Sequence, residues 1–280
     1  MESEKKEKFE LIIKPQKKWF DLNLKELWQY RELAFIFAWR DIKVRYKQTA
    51  LGIIWAILQP VLMVVIFSFF FGKLAKIPSD GIPYPIFAFV GIMFWNYFSI
   101  SLTGSSNAIN DNENIIKKVY FPRLILPMSS AITPLIDLFI SLVVLVLMMF
   151  YYGFSPTLLG VVFIPVLLFF SFLASSGLGL FLASINLKYR DVRYALPFFI
   201  QILMYVTPVI YPSSLVGEKY QWILALNPMT GIIEAARSVF FAVNPLNYHL
   251  LFVSIGISIA LFLFGVFKFK KTERFFADLA

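Results

Sequence analysis

The sequence predicts an all-α membrane protein with six transmembrane helices, an N-terminal amphipathic interface helix, and short outer-side gate helices between spans five and six. Three observations predict it. Of the 280 residues, 59% are hydrophobic and 15% charged, against roughly half and a quarter in soluble globular chains. Charged residues leave long gaps: 25 residues between Lys47 and Lys73, 30 between Asp80 and Asp111, 50 between Asp137 and Lys188, 24 between Arg193 and Glu218, and 30 between Arg237 and Lys268. Finally, the cations are sorted by loop, as set out below.

Charge is costly in hydrocarbon, so each gap marks a span, and a crossing helix needs about 20 residues. The 50-residue gap holds Gly153-Phe154-Ser155-Pro156, which reads as a tight turn between two spans. The spans are then about 52–72, 84–106, 127–152, 158–185, 195–211 and 249–267. They are helices, because backbone polar groups in lipid need internal partners, and the runs lack the alternation of a β-barrel. With six spans both termini share a side. On that side fall 22 of the 26 Lys and Arg; Lys73, Lys76, Lys219 and Arg237 fall on the other. The positive-inside rule puts the first side in the cytoplasm, which accounts for the net charge of +9 without invoking nucleic acid.

Four regions follow: a tail over 1–22, an interface helix over 23–48, the transmembrane domain over 49–270 and a tail over 271–280. The first residues, MESEKKEKFE, contain no apolar core, so the first span is expected to direct insertion itself. In residues 23–47, Leu24, Leu27, Trp28, Phe35, Trp39, Ile42 and Tyr46 recur at helical spacing and Asn23 can cap the helix. Such a helix is too charged to span and suits the interface; Trp28 and Arg31 are its candidate contacts to a cytoplasmic partner. In the loop 107–126, Asn110, Asp111 or Asn112 can cap a helix running to about Tyr120, stopped by Pro122. Asp111, Glu113 and Lys117 make it a candidate coupling surface. In the outer segment 212–248, Asn227-Pro228 and Asn244-Pro245 bracket a re-entrant or interfacial helix with Glu234 and Arg237 one turn apart.

The chemistry that is absent narrows the function. There is no Cys, which excludes disulfides and thiolate metal sites. The single His249 sits at a span edge, and neither a metal cluster nor a nucleophile–base pair can be assembled. The chain is therefore expected to be a transport permease rather than an enzyme, with no cofactor of its own. The P-loop pattern does not occur, so if ATP drives transport, another chain binds it. Asp137 alone lies clearly inside a span, about 15 Å from its start at about 1.5 Å per residue. It faces other helices or a wet cavity, as a structural acid or a pathway residue.

Several strings together resemble one family. RDIKVRYKQTALGIIWAILQP (Arg40–Pro60), YFPRLILP (Tyr120–Pro127), NLKYRDVRYALPFFIQILMYVTPVIYP (Asn186–Pro212) and LNPMTGIIEAAR (Leu226–Arg237) follow in the order seen in bacterial ABC exporter permeases for polysaccharide and polyol phosphate, the family of the O-antigen and teichoic acid exporters. The resemblance covers about residues 28–270. It implies a conduit formed with a second copy of the chain, and two separate ATP-binding cassette subunits that carry ATP and Mg. It also implies a lipid-linked glycan or polyol-phosphate polymer as cargo, carried on polyprenyl diphosphate, and outer gate helices after the fifth span.

On that reading, aromatic rings with a polar edge contact sugar without gripping it, which nominates Tyr46, Trp55, Trp95, Tyr97 and Tyr205, with Asp137, as the substrate path. Arginine forms bidentate contacts with phosphate, which nominates Arg40, Arg45, Arg123, Arg190 and Arg193 for the head group; topology and membrane-lipid contact account for the same residues. A permease for a small hydrophobic compound, an ion-driven carrier and a membrane-embedded glycosyltransferase stay open as alternatives.

Overall fold

The computed structural model describes residues 24–47 and 54–273, and among these it is helical with no strand. The tail 1–22, Asn23, the start of the first span at 52 and the residues beyond 273 lie outside the described residues. The first helices, α1 (Leu24–Gln29) and α2 (Arg31–Lys47), form nearly one rod. Tyr30 N–H donates to Glu26 O (3.2 Å) and Ala34 N–H to Tyr30 O (3.1 Å), carrying the ladder across the turn at Tyr30. The expected apolar set splits across this rod. Leu27 joins Tyr30, Leu33, Ala34 and Phe37 in a small core with Phe121, Leu124, Val266 and Phe269, whereas Trp28, Phe35 and Trp39 are exposed. This inner strip faces α6, along which α2 lies.

The first span is α3 (Ile54–Phe67), continued by a wide π-helical turn over Ser68–Leu74. Next comes α4 (Tyr84–Asp111), which has Pro85 in its first turn and buries every residue from Ile86 to Trp95. A helix apolar all round belongs in the centre, and α4 is touched by α3, α6, α7, α8, α9 and α11. It runs past the expected end at 106, so Asp111 closes α4 rather than capping the next helix. The coupling helix expected over 110–120 is correspondingly a single turn, α5 (Glu113–Ile116). Lys117, Lys118 and the exposed Val119 and Tyr120 that follow offer no face whose burial could sustain further turns.

The third span, expected as one helix over 127–152, is two: α6 (Ile125–Ile132) and α7 (Leu135–Tyr151). Pro134 lacks the N–H that would continue the ladder. The break is satisfied from α4, where Tyr97, Ser101 and Ser105 form a stripe spaced by four residues. Tyr97 Oη and Ser101 Oγ donate to Ala131 O (3.2 and 3.1 Å), and Ser105 Oγ to Pro127 O (2.8 Å). The turn expected at Gly153–Pro156 is present. Gly153 takes φ +79°, a left-handed value that costs a residue with a Cβ.

After it come α8 (Leu158–Asn186), α9 (Val192–Val206), a short 3₁₀ turn at Ser213–Leu215, α10 (Glu218–Ala225), α11 (Pro228–Phe241) and α12 (Tyr248–Glu273). Among the described residues, five helical stretches are long and apolar enough to cross a membrane: Ile54–Leu74, Tyr84–Asp111, Ile125–Tyr151, Leu158–Asn186 and Tyr248–Glu273. The fifth expected span is not among them. α9 stops at Val206, its 15 residues reaching about 22 Å against a hydrocarbon core of about 30 Å.

The loops that share an end agree with the sorting of charge. α2, the α4–α6 loop, the α8–α9 loop and the end of α12 meet at one end, which we call the basic end. Asp80, Ser214 and Asn244 meet at the other, where Ser214 Oγ donates to Asp80 (2.8 Å) and Asn244 Nδ2 to Asp80 O (3.1 Å).

Helices α8 and α12 approach most closely at Gly177 and Gly265. A Cβ on Gly177 would lie 2.5 Å from the backbone of Phe262, and one on Gly265 would collide with Gly177 O. Small residues that let backbones meet are the usual basis of helix association in lipid. Gly177→Leu is expected to destabilise the fold by about 1–3 kcal/mol or more, read as a lower melting temperature in detergent. Gly256→Leu, where a Cβ meets nothing within 4 Å, is expected to leave it unchanged.

Candidate functional site

Where α2 ends, its last turn passes over the break between α6 and α7. That break places Asp137 in the first turn of α7, so its carboxylate faces the positive end of a helix dipole. Two neighbours from α2 complete its surroundings. Tyr46 Oη donates to Asp137 Oδ1, and the Arg45 guanidinium lies 2.8 Å from Asp137 Oδ2 as an ion pair. Burial, and then the Asp137 carboxylate beside it, pushes the Tyr46 phenol above its ordinary range, so Tyr46 stays a neutral donor at physiological pH.

These three side chains form one wall of a cavity of about 260 Å³ between α2, α3, α4 and α7. Trp55 and Gln59 of α3, Asn96 and Tyr97 of α4, and Ser141 of α7 supply its other polar edges, and apolar side chains including Pro60, Met93, Ile100 and Leu138 fill in between them. Rings with polar edges, two amides, a hydroxyl and an ion pair thus converge in a helical bundle. Such a lining can hydrogen-bond hydroxyls, stack on the C–H faces of a sugar, and meet an anion at Arg45.

Of the residues nominated for the path, Tyr46, Trp55, Tyr97 and Asp137 come together here. Trp95 does not: it is buried in the core against Phe98, with ring centroids 5.3 Å apart. Tyr205 also stands apart, on the exposed face of α9. Gln59, Asn96 and Ser141 escaped the sequence reading, although a lone amide inside an otherwise apolar span is a signal of its own.

The head-group arginines do not cluster. Only Arg45 lines the cavity. Arg40 pairs with Asp41 (2.8 Å) and lies over the Phe37 ring (5.1 Å). Arg193 pairs with Asp111 (3.1 Å), and Arg123 N–H and Nη1 reach Glu273 (3.3 and 3.0 Å). Arg190, in the α8–α9 loop, contributes to the field that holds the Glu113 carboxyl below its usual range, after the hydrogen bond and charge of Lys117.

The residues nominated for coupling lie at the basic end in three pieces. Glu113 and Lys117 close the α5 turn with a 2.6 Å pair. Asp111 ties that turn to α9 through Arg193. Trp28 stands exposed on α1 with Arg31 over its ring (5.4 Å). Among the described residues, no group of three or more His, Cys, Asp or Glu side chains could hold a metal ion.

A sequence profile of the ABC-2 type transporter family matches residues 32–241. The chain belongs to that family. The matched stretch of this ABC-2 transporter contains the cavity, the α5 turn and α11, and ends before α12. The chain is 30% identical over 248 residues to an O-antigen export system permease protein, RfbA, of Klebsiella pneumoniae, covering 89% of this chain and 95% of the relative. It is 32% identical over 221 residues to an O-antigen export system permease protein RfbA of Myxococcus xanthus, covering 78% and 84%. It is 25% identical over 237 residues to a polysialic acid transport protein, KpsM, of Escherichia coli, covering 80% and 89%.

At the far end a second cavity, of about 390 Å³, lies beside Arg237 of α11. Sequence reading paired Arg237 with Glu234, and that pair is present at 3.1 Å. Its larger role was not legible. The guanidinium is buried and donates to Phe87 O (3.3 Å), Pro208 O (2.8 Å) and Val209 O (2.7 Å), with the Phe87 ring 3.5 Å beneath it. It therefore closes the backbone left open where α9 stops. Arg237→Met is expected to cost on the order of 3–5 kcal/mol, as for other broken buried ion pairs, with Arg237→Lys in between. Melting temperatures of the three purified proteins check the order.

Proposed function

We propose that this ABC-2 transporter is the permease subunit of an ATP-driven exporter that carries a lipid-linked polysaccharide across the cytoplasmic membrane. The observation that carries the reading is the mixed cavity behind α2, at which Arg45, Tyr46, Trp55, Tyr97 and Asp137 converge. The polysaccharide exporters among the relatives supply the class of cargo. A path for a small hydrophobic compound has no need of an ion pair and two amides in its wall.

In this reading both termini and the basic end face the cytoplasm, as the distribution of Lys and Arg favours. The short α9, with the chain to about residue 211, makes the remaining crossing, locally thinning or tilting against the bilayer. The exposed aromatics of α1 and α2 lie in the interface. A second copy of the chain completes the conduit, and two ATP-binding subunits dock on the basic end, against Asp111, Glu113 and Lys117 and beside Trp28 and Arg31. α10 and α11 close the outer mouth.

The cargo's diphosphate approaches Arg45 while its first sugars meet Trp55, Tyr97 and the amides of Gln59 and Asn96. Each contact is weak and repeated along the polymer, which lets a long chain pass without a deep minimum. The exported polymer is of the O-antigen, teichoic acid or capsule type.

Two outcomes are expected. In cells whose own gene is deleted, the unaltered chain restores the surface polymer. Arg45→Ala combined with Trp55→Ala lowers it about tenfold or more, on the scale of losing two contacts of about 1 kcal/mol each, with the permease still in the membrane. Undiminished surface polymer in that variant would remove the cavity from the path. Replacing Asp111, Glu113 and Lys117 together by Ala is expected to leave insertion intact while export stops and ATP hydrolysis no longer responds to cargo; normal export would show that the α5 turn is not the coupling surface.

A further inference from the structure

At the basic end of α12, Glu273 lies on the last described turn of the helix. Two cations approach it. Lys270 Nζ lies 3.3 Å from Glu273 Oε2, and Arg123, from the loop that follows the α5 turn, donates its backbone N–H to Oε1 (3.3 Å) and Nη1 to the carbonyl of Glu273 (3.0 Å). Arg123 therefore engages both the side chain and the main-chain carbonyl of Glu273. The clamp is shielded, the Lys270 and Glu273 side chains being 12% and 21% exposed. Just inside it, Val266 and Phe269 pack with Phe37, Phe121 and Leu124, so α2, the coupling loop and the end of α12 share one small core.

At its other half the same helix grips α11. Gly231 N–H of α11 donates to Ser254 Oγ (3.0 Å), and a Cβ on Gly231 would lie 2.5 Å from Leu250 O. Ser254 and Glu273 are 19 residues apart in a helix with no internal proline, about 28 Å at 1.5 Å per residue. Helices α4 and α8 also run between the two ends. Of the three, α12 is joined to the 117–124 loop through the hydrogen bonds from Arg123 to Glu273.

We propose that α12 is a transmission rod, and that Arg123 and Glu273 are the positioning residues that attach it to the coupling loop. A partner subunit pressing on the α5 turn displaces the 117–124 loop. The clamp passes that displacement to α12, and the seam at Gly231 and Ser254 delivers it to α11. The proposal rests on the reading that partners dock at the basic end and that α11 closes the outer mouth.

The absence of Cys in the natural chain gives a direct test. Val243→Cys places one thiol on the exposed turn after α11. In the complete exporter reconstituted with its ATP-binding subunits, labelling by a membrane-impermeant maleimide is followed with and without ATP. In that background ATP is expected to change the labelling rate about tenfold, a common scale for coupled sites, and added Glu273→Ala or Arg123→Ala to reduce the change to about twofold or less, with ATP still hydrolysed. Arg123→Lys, which keeps the charge, is expected to retain an intermediate response, which loss of structure alone would not produce. A full ATP response in both alanine variants overturns the rod and leaves the gate standing. Labelling that ignores ATP with Arg123 and Glu273 intact overturns the gate, and the rod with it.

Discussion

Every helix in this protein that stops or bends inside the bundle exposes carbonyls and N–H groups where no water can satisfy them, and the fold is arranged around meeting that demand. Arg237 is the clearest case. One guanidinium covers carbonyls on α4 and on the chain beyond α9, while its charge is held by Glu234 and the face of Phe87. A cation is costly to bury, and it is kept here because the alternative is the carbonyls of Pro208 and Val209 without donors. The stripe Tyr97–Ser101–Ser105 does the same for α6 with neutral hydroxyls. Thr157 and Asn227 do it at the starts of α8 and α11, accepting from Gly160 N–H (2.9 Å) and Met229 N–H (3.0 Å).

This division makes α4 the fixed member. It is buried on all sides and donates to its neighbours, whereas α3 and α9 present most of their large apolar side chains outward. Elements with few buried contacts are those that can shift at small cost. The cavity lies where the two kinds meet, with Asn96 and Tyr97 on the fixed helix and Trp55 and Gln59 on α3. A cavity walled in this way can change width without unmaking the core.

Much of the membrane architecture was legible because it follows from the cost of charge in hydrocarbon, which acts on single residues. The gaps between charges located four of the spans within a few residues, and Gly153-Phe154-Ser155-Pro156 located a turn. Asp137 stood out for the same reason and proved to sit at the cavity. Pairings between distant residues were not legible. Arg193 meets Asp111 across 82 positions and Arg123 meets Glu273 across 150, and nothing in either local sequence names its partner. The arginines were therefore assigned as a class to phosphate, when the fold gives three of them carboxylates of their own and turns the Arg123 guanidinium to a main-chain carbonyl. Pro134 shows the other kind of miss. Its position was visible, yet whether a proline breaks or only bends a helix depends on whether neighbours can take carbonyls left at the break, and for Ala131 O those neighbours are Tyr97 and Ser101 of α4.

The paired arginines bear on how a polymer with an anionic head can pass at all. A bare guanidinium in a partly dry cavity would hold a phosphate too firmly to release it, because both ions would have lost their water. Arg45 is instead met by Asp137, and its surroundings also hold a neutral hydroxyl at Tyr46. An arriving phosphate under the proposed reading exchanges one anion for another instead of adding to an empty site. The gain is the small difference between two similar attractions, and departure restores the Asp137 pair. A conduit has to admit its cargo and let it go, and an internal counter-ion brings the two requirements to comparable energies.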